Sequence, residues 1–170
     1  MEIISSARSS SLSIDETTPS ATPLLVSACL LGEAVRYDGK ALPYPEIAEL
    51  DERGYWLVPC CPEVAGGLPV PRAAAEICHT DGDSSHRCVM NCRGEDVTLQ
   101  FNRGAEAALA LVKQHGIVTA ILKEGSPSCG SQQIYDGSFS GRHVSGEGVT
   151  TALLRFYGVR VLSELRLSEL

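Results

Sequence analysis

Three short apolar runs in this chain each stop at a cysteine set in a turn. Residues 24–28 (LLVSA) lead into Cys29, residues 55–59 (YWLVP) into Cys60 and Cys61, and residues 117–122 (IVTAIL) into the turn that holds Cys129. Runs of this length, rich in β-branched and aromatic residues, read as buried strands. The segments between them carry helical signals. Residues 45–53 have Pro at the start, Ile47 and Leu50 at helical spacing and Gly54 at the stop. From an expected cap at Asn102 to Gln114, Ala105, Ala108, Leu109 and Val112 make an apolar stripe closed by Gly116. Residues 147–157 form a further helix stopped by Gly158, and residues 159–163 a last strand. Residues 73–93 and the Gly- and Ser-rich residues 134–146 read as loop. Strands alternating with helices predict an α/β fold: a single domain with a mainly parallel sheet and flanking helices in a Rossmann-like three-layer arrangement.

Parallel strands put their carboxyl ends at one edge, where open α/β sheets bind ligands. Cys29, Cys61 and Cys129 can therefore meet despite spacings of 32 and 68 residues. A single free cysteine is most often a small buried hydrophobe. Here the contexts SACLLG, CCPE and SPSCG place all three in tight turns, which favours function over packing. Three thiolates suit zinc with an open fourth position, or a 4Fe-4S cluster with one iron left without a protein ligand. Spacing leaves both open. The C-x2-C-x2-C run of electron-transfer ferredoxins is missing, so simple electron storage is not suggested.

The remaining composition narrows the class. At 170 residues, 44% of them hydrophobic, the chain suffices for one core, and a net charge of -7 argues against a nucleic-acid partner. A small-molecule substrate is expected. No apolar run approaches the roughly 20 residues that span a bilayer. Residues 1–22, rich in Ser and Thr with Glu2, Asp15 and Glu16, read as a flexible extension without a secretory h-region, ahead of a domain over 23–170. An odd count of seven cysteines without such a signal implies reduced thiols and a cytoplasmic location.

The ordered blocks Ser27-Ala28-Cys29-Leu30-Leu31-Gly32, Arg36-Tyr37-Asp38-Gly39, Cys61-Pro62-Glu63-Val64 with Gly66-Gly67-Leu68-Pro69, and Ser126-Pro127-Ser128-Cys129-Gly130 resemble the thiouracil desulfidase family over residues 24–164. Shorter matches lie at residues 94–98 and 134–137. The resemblance implies a 4Fe-4S cluster on Cys29, Cys61 and Cys129 whose open iron takes the sulfur of a thiolated pyrimidine, either thiouracil or a thiouridine nucleotide. It also implies an acid/base carboxylate at Glu63. Cys60 precedes the matching position, and Val35 stands where many relatives carry a further cysteine.

Other residues carry weaker signals. Glu63, in an apolar Gly-Leu-Pro setting, would deprotonate the attacking water, or merely cap a helix. Ser126 and Ser128 flank the third thiol and would bond the pyrimidine or the cluster sulfurs, although Ser-Pro-Ser is also ordinary turn chemistry. Lys123 would orient a substrate carbonyl or phosphate, or simply be solvated. Arg36, Tyr37 and Asp38 would line the pocket, and His143 would contact substrate from the 134–146 loop. A competing reading takes Cys78, His79, His86, Cys88 and Cys92 as a non-enzymatic zinc-binding or redox-sensing module. Their C-x9-C-x3-C spacing fits no standard zinc module.

Overall fold

The side chains of Leu24, Leu25 and Val26 alternate across the first strand, and all three are fully buried, as a central strand covered on both faces requires. The computed structural model describes residues 21–79 and 87–170. The expected extension therefore lies almost wholly outside the described residues, and so does His86. Strand β1 (Thr22–Ser27) pairs in parallel with β2 (Tyr55–Cys60) on one side and β5 (Thr119–Leu122) on the other, and β5 pairs in parallel with β8 (Arg160–Ser163). The sheet order is β2-β1-β5-β8.

Two helices cover one face. Helix α3 (Thr98–His115) and helix α4 (Val149–Phe156) pack Ala108, Leu109, Val112 and Leu154 against Leu25, Val58, Ala120, Leu122 and Val161. The other face is covered more thinly. Leu24, Val26 and Ile121 meet Ile47 of the short helix α1 (Pro45–Ala48), Leu50, and the 3-10 turns of the C-terminal segment through Leu167 and Leu170. The expected three layers are present.

Several local expectations change. The helix expected over 45–53 is two pieces, α1 and a 3-10 turn at Asp51–Arg53, closed by Gly54 at φ 84°. Helix α3 starts four residues before Asn102. Asp96 accepts the Thr98 N–H at 2.9 Å, while the Thr98 hydroxyl accepts the Val89 N–H at 2.9 Å, so the start is fixed by tertiary contacts and Asn102 lies in the helix interior. Both segments read as loop contain hairpins: β3 (Ala75–His79) with β4 (Arg87–Asn91), and β6 (Gln133–Tyr135) with β7 (His143–Ser145). These strands are short, and their partners are set by pairing across loops, which no hydrophobic period announces.

Helix α2 (Pro62–Ala65) follows β2 directly and is pressed onto α3. A Cβ on Gly104 would stand 1.9 Å from the Pro62 carbonyl oxygen, and one on Gly66 would stand 1.9 Å from that of Gln100. Two glycines thus let the backbones touch where α3 supports the turn bearing Cys61 and Glu63.

Candidate active site

Strand order reverses direction between β1 and β5, since β2 lies on one side of β1 while β5 and β8 lie on the other. Such a switch point opens a crevice beyond the strand ends. Here it is a cleft of about 490 Å³ lined by Cys29, Cys61 and Cys129, which follow β1, β2 and β5. The convergence expected from strand ends is therefore found.

Each thiol is held by a different local device. Cys29 sits in the 3-10 turn Ala28–Leu31, which ends at Gly32 in the left-handed region at φ 96°. Cys61 occupies the N-cap position of α2, where backbone N–H groups of Val64 and Glu63 face its sulfur. Its thiol donates weakly to the Val35 carbonyl at 3.7 Å. Cys129 is held from two sides. The first N–H groups of α4, which have no partner inside the helix, donate to the loop: Val149 to Pro127 O, and Thr150 and Thr151 to Ser128 O, at 2.9, 2.9 and 3.3 Å. The Thr151 hydroxyl adds a bond to Cys129 O at 2.8 Å. The other hold is Glu124, whose Oε1 accepts the N–H groups of Ser131, Gln132 and Gln133 at 2.9–3.0 Å and whose Oε2 accepts the Ser131 hydroxyl at 2.6 Å. Burial acts to raise the Glu124 pKa, but these bonds prevail and keep the carboxyl below its usual range.

The donor set suits a sulfur-bound metal group. Burial pushes the Cys29 thiol up to about 11, Cys129 well above its ordinary value, and Cys61 upward as well. Charge repulsion among the three adds to this for Cys29 and Cys129. Without a cation the thiols stay protonated, and a cationic centre is what stabilises three thiolates together. No group of three or more His, Cys, Asp or Glu side chains among the described residues could hold a single metal ion. One zinc needs each sulfur within about 2.3 Å of the same point. Three sulfurs that follow three separate strands into one cleft are the donor type a 4Fe-4S cluster takes at its corners.

Glu63 lines the same cleft. The apolar setting expected for it is not what the fold provides. Arg72 Nε donates to Glu63 Oε2 at 2.7 Å and the Ser128 hydroxyl to Oε1 at 3.1 Å. Arg72, 6% exposed, also donates to the Val35 and Pro69 carbonyls at 3.1 and 3.3 Å. No sequence signal marks Arg72, which lies nine residues after Glu63.

The other candidates divide. Arg36, Tyr37, Lys123, Ser126 and His143 line the cleft, whereas Asp38 and Ser128 do not. Asp38 instead fixes its own turn, accepting from Arg36 Nε at 3.3 Å and from the Lys40 N–H at 3.1 Å. Ser128 is buried and reaches the site only through Glu63. Lys123 is tied to Glu164 at 2.7 Å and to the Glu124 carbonyl at 2.8 Å, so one of its three donors is left. The Ser126 oxygen accepts the N–H groups of Ser128 and Cys129 at 3.1 and 3.2 Å, leaving its hydroxyl proton free to be donated. Cys60 packs into the core beside Val58 as well as bordering the cleft. Cys78 and Cys88 face each other across the β3/β4 hairpin, and neither they nor the exposed Cys92 line the cleft. The zinc-module reading finds no support among the described residues. Glu76, Tyr135 and Phe139 complete the wall and were not anticipated.

Comparison with known proteins agrees with this geometry. The sequence model of the family described as 2-thiouracil desulfurase matches residues 24–166. An uncharacterized protein of Bacillus subtilis (strain 168), YbbK, is 42% identical over 151 residues, which is 86% of this chain and 99% of that protein. The solved structure of the 4Fe-4S-dependent thiouracil desulfidase TudS is similar at TM-score 0.77 and 49% identity, over 88% of this chain and 95% of that one.

Proposed function

The chain belongs to the 2-thiouracil desulfurase family, and on that premise we propose that it desulfurates a thiolated pyrimidine at a 4Fe-4S cluster held by Cys29, Cys61 and Cys129. The observation that carries this reading is the meeting of three thiols, Cys29 and Cys129 buried and Cys61 half-buried, with one braced carboxylate, Glu63, in a single cleft. The reaction is a net hydrolysis: thiouracil and water give uracil and hydrogen sulfide, so C=S becomes C=O with no change in overall oxidation state. A cluster with three protein thiolates supplies an open iron, a Lewis acid with affinity for sulfur.

The chain's own residues do the rest. Glu63, in the wall of the cleft, is the general base that takes a proton from the attacking water. Arg72 and Ser128 fix both of its oxygens, so the carboxylate is positioned before substrate arrives. Ser126 keeps its proton available for the exocyclic atom or ring nitrogen that gains electron density as the C=S bond breaks. Arg36 and the remaining Lys123 donor bind a carbonyl or phosphate of the substrate. Asp38 and Ser128 support these groups without touching the substrate.

The test is anaerobic purification followed by measurement of iron and acid-labile sulfide, then release of sulfide and uracil from thiouracil. Wild type should carry about four irons per chain, and Cys29→Ser, Cys61→Ser and Cys129→Ser should each lose cluster and turnover. A fully loaded protein that releases no sulfide, or one equivalent of zinc without iron, would refute the reading.

A further inference from the structure

Three carboxylates line the cleft, and they are not equally satisfied. Glu63 has Arg72 and Ser128, and Glu124 accepts a cluster of loop N–H groups. Glu76, on β3, is 6% exposed, yet its only hydrogen bond among the described residues is the Phe139 N–H donated to Oε2 at 3.0 Å. No cation pairs with it among the described residues. Its Oε1 has no donor among the described residues, and because Glu76 borders the cleft a donor brought by a ligand can reach it.

The surroundings specify the shape of such a ligand. The tip between β6 and β7 is clamped against β3, because a Cβ on Gly137 would stand 2.7 Å from the Ile77 carbonyl oxygen. That clamp places Phe139 beside Glu76, and Phe139 is the one non-glycine among the described residues at positive φ, 55°. Asp136 rigidifies the tip by accepting from Ser138 N at 2.9 Å and Arg142 Nε at 2.6 Å. Tyr135 and His143, with ring centroids 4.2 Å apart and planes 32° apart, share the same wall. An aromatic wall beside a buried acceptor suits a flat heterocycle that carries an N–H on its edge.

We propose that Glu76 determines specificity by accepting the imide N3–H of the pyrimidine, with the ring laid against the Tyr135, Phe139 and His143 wall. This rests on the desulfidase reading for its ring chemistry. The N3–H lies between the two carbonyl carbons and is present in base and nucleotide alike, so one acceptor serves both. Rings without that donor leave Glu76 Oε1 without the bond and are rejected.

The experiment measures equilibrium binding of the product uracil, 3-methyluracil and 1-methyluracil to the anaerobic holoenzyme by calorimetry. Wild type should prefer uracil and 1-methyluracil over 3-methyluracil by about 10- to 100-fold, the worth of a hydrogen bond to a charged group. In Glu76→Gln, which keeps an oxygen for the Phe139 N–H but turns its amide NH2, a donor, toward the ring, the preference should fall to within about threefold. Glu76→Ala should behave likewise. A preference that survives in Glu76→Gln, its absence in wild type, or binding of no ring at all would overturn the proposal. Sulfide release from thiouracil by the same preparation judges the reaction separately. Turnover with discrimination intact in Glu76→Gln sinks only the Glu76 assignment, and lost discrimination without wild-type turnover sinks only the reaction.

Discussion

Gly104→Ala adds one methyl group to α3, where it backs the turn that bears Cys61 and Glu63, and should empty the metal site. Two effects oppose each other. Alanine is favoured over glycine inside a helix by about 1 kcal/mol. Against this, the new Cβ would lie 1.9 Å from Pro62 O, 2.6 Å from Pro62 C and 3.2 Å from its Cα. Ordinary contact begins at 3.4 Å, so α2 must retreat by about 1.5 Å, and because the obstructing atoms are backbone, no side chain can rotate to make room. Overpacking of this kind costs about 1–3 kcal/mol, which leaves a net destabilisation of up to about 2 kcal/mol. The consequence for function is larger. Cys61 and Glu63 ride on the displaced turn, and functional groups must be held to within about 0.5 Å. We expect a melting temperature lowered by up to about 8 °C, with iron content reduced and sulfide release lowered by about 100-fold or more. Thermal unfolding, iron analysis and turnover on the same anaerobic sample decide it. A Gly104→Ala protein with full iron and wild-type turnover would refute the claim that this glycine contact positions the ligand turn.

Two further perturbations probe the supports of the site. Arg72→Lys should retain iron but lower kcat by about 100-fold with a smaller change in KM, because a point charge cannot hold Glu63, Val35 O and Pro69 O together; unchanged kcat would exclude a positioning role. Glu124→Gln should destabilise the fold by about 1–3 kcal/mol and loosen the Cys129 loop, seen as a lower unfolding midpoint and faster cluster loss. The Glu124 pKa is lowered in the folded state, so its contribution is present above its ordinary value near 4.5 and is lost as pH falls through the lower folded value. The difference in stability between wild type and Glu124→Gln should accordingly shrink across that acidic window, and a constant difference would show that the ionised carboxylate is not the cause.

Signals carried by neighbouring residues were legible without coordinates. The apolar runs before Cys29, Cys61 and Cys129, the stripe Ala105, Ala108, Leu109 and Val112, and the stop at Gly116 all recur in the structure. They depend on periodicity and backbone preference within a few residues. Parallel pairing then follows from the alternation of strands and helices, and with it the meeting of the three thiols at one sheet edge.

Which charges and polar groups are already engaged depends on contacts between residues far apart in the chain. Lys123 reads as a free cation beside the third thiol until Glu164, 41 residues on, is seen to hold it. Ser128 reads as a substrate contact until its hydroxyl is found on Glu63, 65 residues away. Glu76 lies in a stretch with no helical or strand period strong enough to place it, and becomes part of the cleft because the Gly137 turn packs on β3. Ion pairs and hydrogen bonds depend on distance in space, whereas the hydrophobic pattern that selects strand and helix is a property of the local chain. For that reason local pattern is enough to place the sheet and its three strand-end cysteines, while contacts across the fold set which of the polar groups around them remain free for a substrate.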